Sequence, residues 1–173
     1  MHLPRFPFPF RGPRLAVLAC FSSLLVSAGL LGGCSSPPPL LAPARTTLVS
    51  TTVVAPNVNP DARKRPSPVV VRVYELKSSA LFESTDFVSL FEKDQAVLGP
   101  ELVSREEFVM QPNDVKAFNK TLAPDTQFVA VVAAFREIER ARWRVFVPVV
   151  ANKKNVLSIR LDDVNVSIKR DAP

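Results

Sequence analysis

The hydrophobic pattern changes period three times along the chain. Residues 15–31 are an almost unbroken run of apolar and small side chains, preceded by Arg5, Arg11 and Arg14 with no acidic residue. From residue 46 onward, apolar and polar positions alternate in short runs separated by Pro, Asn and Asp. Between Leu76 and Arg105 the spacing lengthens, with Phe87, Leu90 and Phe91 recurring at i, i+3 and i+4. Period two predicts half-buried strands, and the longer period predicts an amphipathic helix.

Eight strands follow from the alternation, over residues 46–54, 69–76, 105–110, 115–122, 128–135, 143–149, 157–162 and 164–169. Val69, Val71 and Val73 share one face of the second; Tyr74 lies on the other, at the core or its rim. Residues 128–135 are apolar on both faces, as a central strand requires. Leu157, Ile159 and Leu161, then Val164, Val166 and Ile168, alternate with polar partners across Asp162-Asp163, which suits a tight turn, or a bulge where the parity switches. Such a chain of short strands predicts a β-sandwich. The interruption near residues 79–98 reads as a helical insert. Ser84 is placed as its cap, Asp86 in its first turn, and Leu81 and Phe82 in a short helical turn before it. Gly99-Pro100 ends the insert.

A basic start, an apolar middle and a small-residue end make residues 1–33 a secretory signal peptide. Seventeen residues lie at the lower limit for spanning a bilayer, and the sharp boundary favours cleavage. Leu31-Gly32-Gly33-Cys34 resembles the lipobox of bacterial lipoproteins. There a Cys thiolate takes up a diacylglyceryl group as a thioether. Residues 34–45 then read as the acylated Cys34 and a Pro-rich, extended tether, with residues 46–173 as the folded domain. Ser35 follows the Cys instead of Asp. In Gram-negative bacteria that points to the outer membrane, with acyl chains as the anchor.

Cleavage changes the electrostatic picture. Three of the 22 basic residues and none of the 16 acidic ones are removed, which leaves an excess of three. That excess is too small and dispersed for nucleic-acid binding. The single His, at position 2, is lost, and the remaining Cys is committed to lipid. Ser-His-Asp and Cys-His catalysis, and His/Cys metal or haem ligation, are thereby excluded. No catalytic residue, metal site or cofactor is expected beyond the covalent lipid.

Three further stretches bear on function. The first is Asn57-Val58-Asn59-Pro60-Asp61 with Val69-Val70-Val71-Arg72-Val73-Tyr74-Glu75-Leu76-Lys77. The second is Phe82, Asp86-Phe87 and Leu90-Phe91-Glu92-Lys93-Asp94. The third is Val129-Ala130-Val131-Val132-Ala133-Ala134-Phe135-Arg136 followed by Trp143-Arg144. Together with the lipobox they resemble the TssJ family, outer-membrane lipoproteins of the bacterial type VI secretion system. The resemblance implies a transthyretin-like, two-sheet β-sandwich with a small helical addition and no enzymatic activity. It also implies anchoring of the trans-envelope complex by binding the periplasmic C-terminal domain of the inner-membrane component TssM. The implied docking element is the loop between strands 1 and 2, here Asn59, Pro60, Asp61, Ala62, Arg63, Lys64, Arg65, Pro66 and Ser67.

The residues of that loop are compatible with docking. Two prolines lower its ordering cost, and Arg63-Lys64-Arg65 is the densest basic run after Cys34. The alternative function is a lipid-anchored module for a small ligand or glycan. Such sites gather exposed aromatics, yet the chain has one Trp and one Tyr. Trp143 and the Phe87, Leu90, Phe91 stripe read as packing residues. Residues 136–144 read as a charged hairpin connection, with a secondary partner contact as the lesser reading.

Overall fold

The computed structural model describes residues 44–172. The signal segment, Cys34 and most of the tether lie outside the described residues. Eight strands form two four-stranded sheets: β1 (Thr47–Val54), β2 (Val69–Leu76), β3 (Leu102–Met110), β4 (Val115–Thr121), β5 (Phe128–Ala134), β6 (Arg144–Pro148), β7 (Lys154–Asp162) and β8 (Asn165–Asp171). One sheet has the order β4-β1-β7-β8 and the other β3-β2-β5-β6. Only β1 and β7 run parallel; every other neighbouring pair is antiparallel. The expected eight-stranded, two-sheet sandwich with a helical addition is the observed fold.

Two helices, α1 (Ala80–Ser84) and α2 (Phe87–Leu98), connect β2 to β3. They cover the outer face of the β3-β2-β5-β6 sheet and create a third layer. Val71, Val73, Val129 and Val131 point inward, onto Leu48, Ile159, Leu161 and Val166 of the opposite sheet. Tyr74, Leu76, Ala130 and Val132 point outward, beneath Phe82, Leu90 and Leu98. This is why β5 is apolar on both faces and β2 is buried on both. Full burial of each such side chain stabilises the fold by about 1.5–3 kcal/mol. Tyr74 is core, not rim.

The cap of the insert differs from expectation. Asp86, not Ser84, caps α2: its carboxylate accepts from the Ser89 N–H at 3.0 Å. Ser84 ends α1, and its hydroxyl turns back to donate to the Ala80 carbonyl at 2.9 Å. Thr85 is extended and breaks the two helices apart. Both residues are good caps by type, and Asp86 stands where the next helix starts. Gly99 closes α2 with φ +48°, a conformation that glycine adopts without a Cβ clash.

Both open edges of the sandwich are closed. At the β6/β8 edge the Arg142 N–H donates to the Val164 carbonyl (3.0 Å), and its carbonyl accepts from Val166 (2.9 Å). At the other edge Lys120 of β4 reaches Glu75 (2.7 Å) and Glu106 (3.1 Å) of the facing sheet. Glu75 is buried and also accepts from Ser104, Thr126 and the Ala123 N–H. Burial alone would raise its pKa. The hydrogen bonds from Lys120, Ser104 and Thr126 outweigh that and hold it below the ordinary glutamate value.

The connections β1–β2, β3–β4, β5–β6 and β7–β8 gather at one end of the sandwich. Val54 N–H meets the Asp114 carbonyl there (2.9 Å), and Asn59 N–H meets that of Asp163 (2.7 Å). The chain enters at the opposite end, where Thr46 is held by Asn152 and Leu122. One strand, β1, spans the distance between the two ends, roughly 26 Å at about 3.3 Å per residue.

Candidate protein-docking site

The β1–β2 connection, residues 55–68, is built in two tiers. Its base is buried: Ala55, Val58, Asn59, Pro60 and Ser67 are covered. Asn59 is the hub. Its backbone takes φ +49°, which Asn tolerates better than most residues. Its side-chain amide donates to the Pro68 carbonyl (2.6 Å), and its Oδ1 accepts from the Arg136 N–H (2.8 Å). With the Asn59 N–H on Asp163, one residue ties three connections together.

The tip, residues 62–66, is exposed. It is folded by Asp61. One carboxylate oxygen accepts from the N–H groups of Arg63 (2.8 Å) and Arg65 (2.9 Å); the other takes the Arg65 guanidinium at 2.7–2.8 Å. Main-chain bonds from Asp61 N–H to Arg65 O and from Lys64 N–H to Asp61 O close the turn, with Lys64 at φ +65°. These donors, the Arg65 N–H first and its side chain next, keep the Asp61 pKa below the ordinary range. Arg65 is thus neutralised at home. Arg63 and Lys64 point out of a preformed turn, without an ion-pair partner among the described residues.

Of the nine loop residues singled out by resemblance, Asn59, Pro60 and Ser67 therefore form the foundation, and residues 61–66 form the surface. Trp143 lies half-buried just before β6, edge-on to Phe87 at 5.2 Å, and packs against both cores. Residues 136–144 form the expected charged connection, which includes a helical turn at Ile138–Arg140.

A buried ion cluster beneath α2 was not foreseen from the sequence. Asp94 accepts from Tyr74 (3.1 Å) and Arg105 (2.7 Å) and lies 3.5 Å from Arg72. Arg72 donates to the Phe91 carbonyl, stacks on the Phe91 ring at 3.9 Å and pairs with Glu107. Burial pushes the Tyr74 hydroxyl up to about 12, so it stays a neutral donor. The signal was present in Leu90, Asp94 and Leu98, a carboxylate in the middle of an i, i+4, i+8 apolar stripe. The cluster orients the helical layer and does not open to solvent as a site.

Comparison with known families decides the identity. The profile described as type VI secretion lipoprotein (VasD, EvfM, TssJ, VC_A0113) matches residues 46–164. The chain belongs to this family. The TssJ-family resemblance is thereby borne out, and with it the β-sandwich of a secretion lipoprotein. Among solved structures, the type VI lipoprotein TssJ1 from Pseudomonas aeruginosa superposes with a TM-score of 0.73 at 32% identity. The match covers 75% of this chain and 98% of that one. Serratia marcescens Lip, a membrane-bound component of the type VI system, gives 0.67 at 22% identity over 75% and 99%. A structure named for the TssM C-terminal domain from EAEC contains a chain matching at 0.59 and 24%, over 70% and 99%. The last two likenesses speak to fold alone. The comparison with curated proteins gives no match.

Proposed function

We propose that this type VI secretion lipoprotein anchors the trans-envelope complex to the outer membrane. In this reading the signal segment is removed before Cys34, acyl chains on Cys34 hold the periplasmic face of the membrane, and residues 35–45 form the tether. The β1–β2 loop binds the periplasmic C-terminal domain of TssM. The role is non-catalytic.

One observation carries the reading: a preformed basic turn stands at the end of the sandwich opposite the point where the chain enters. A loop already folded by Asp61, Asn59 and two prolines loses little entropy on binding. Its outward Arg63 and Lys64 accelerate encounter with an acidic surface. The chain of this fold in the structure named for TssM supports the choice of partner. Calorimetry of the full chain against the TssM C-terminal domain is the direct test. Shortening residues 61–65 should abolish binding without unfolding the sandwich; an unchanged affinity would sink the reading.

A further inference from the structure

We propose that the docking surface is composite, with Arg136 and Arg142 of the β5–β6 connection forming a second cationic half beside Arg63 and Lys64. Together they receive an acidic face of the TssM periplasmic domain. The inference rests on the docking role assigned above to the β1–β2 loop.

Placement brings the two segments together. The β5–β6 connection begins on the Asn59 Oδ1, through the Arg136 N–H, and ends on β8, through the main chain of Arg142. Both ends are pinned to the same end of the sandwich as the basic turn. Asn59 fixes the spacing between the two segments, so they present charge as one rigid array.

Charge at that end is unevenly paired. Arg65 is neutralised by Asp61, Arg140 by Glu137 and Arg160 by Asp162, each within its own segment. Arg63, Lys64, Arg136 and Arg142 are exposed and have no ion-pair partner among the described residues. Of the neighbouring carboxylates, Asp114 accepts from the neutral Gln111 N–H at 2.7 Å and keeps its charge, so Asp114, Glu139 and Asp163 stand against the four cations. The unmatched charge is therefore net positive and spread over two connections. Arginine suits such a surface because it is weakly hydrated and pairs with carboxylates in a planar fork. Arg63, Lys64, Arg136 and Arg142 share this end of the domain, while Lys153 and Lys154 stand exposed at the opposite end.

The test uses the detergent-extracted full chain, with the TssM C-terminal domain flowed over it at low and high salt. Arg136→Glu with Arg142→Glu should slow association about tenfold or more and flatten its salt dependence. Arg136→Gln with Arg142→Gln should give a smaller loss of the same kind, and serves if the reversal disturbs folding. Lys153→Glu with Lys154→Glu, at the opposite end, makes the same change in net charge and should leave association near that of the unaltered protein. If the arginine variants associate like the lysine control while the shortened loop fails to bind, the composite surface is wrong and the loop reading stands. If the shortened loop binds normally, both fall.

Discussion

Asp61 decides the form of the docking turn, because both its oxygens are used on residues two and four positions ahead. Asp61→Ala should weaken TssM binding several-fold and speed exchange of the Arg63 and Arg65 amides. The thermal midpoint should not move, since the tip is exposed and adds nothing to either core. The pH dependence follows from a pKa lowered in the folded turn. Order at the tip persists as pH falls through the ordinary aspartate range and is lost only below it, which the Arg63 and Arg65 amide shifts would report. Glu75 works the same way at larger stakes. Its folded pKa is depressed, so its stabilisation is complete above the unfolded glutamate value and is lost as pH falls through the folded one. Glu75→Gln should flatten that acid limb in denaturant titrations. Neither role was legible in the sequence. Asp61 read as one residue in a basic loop, and Glu75 carried no reading of its own, because the groups that engage Glu75 lie 29 to 51 residues away in the chain.

At the scale of elements, the strands were legible because alternation is a local signal, while the helical layer was only partly so. Phe87, Leu90 and Phe91 announced α2, but the break at Thr85 and the cap at Asp86 depended on a choice between two good capping residues on either side of Thr85. What α2 rests on was hidden as well. Its seat is a Tyr-Arg-Asp-Arg cluster assembled from β2, α2 and β3. Asp94→Ala takes a buried carboxylate from Tyr74 and Arg105 and leaves Arg72 with Glu107 alone, and should cost about 3–5 kcal/mol by chemical denaturation. Loss of protection in hydrogen exchange should centre on α2. Phe82→Ala, which empties a fully buried ring site between Tyr74 and Phe146, should cost a similar 3–5 kcal/mol. The two variants differ in what they spare: Phe82→Ala should leave in place the kink that α2 makes at Lys93, where the backbone departs from helical geometry (φ −133°, ψ 31°).

At the scale of the whole molecule, the proposed anchoring role depends on which end is held and which end is free. Cys34→Ala should leave the sandwich folded, with an unaltered thermal midpoint, but release it from the outer-membrane fraction; mass spectrometry of the unaltered protein should find a lipid-modified Cys34 at the N-terminus. The two ends are joined by β1, which emerges beside Thr46 and runs directly into the β1–β2 loop. It is an interior strand, flanked along its length by β4 on one side and a parallel β7 on the other. Tension between a membrane-held tether and a seized loop would act along the axis of that strand. Such a pull shears the hydrogen-bond ladders on both flanks at once, whereas a pull across the sheet would peel them apart one bond after another. Under the proposed role, the fold would thus meet stress from its two attachment points in its toughest direction.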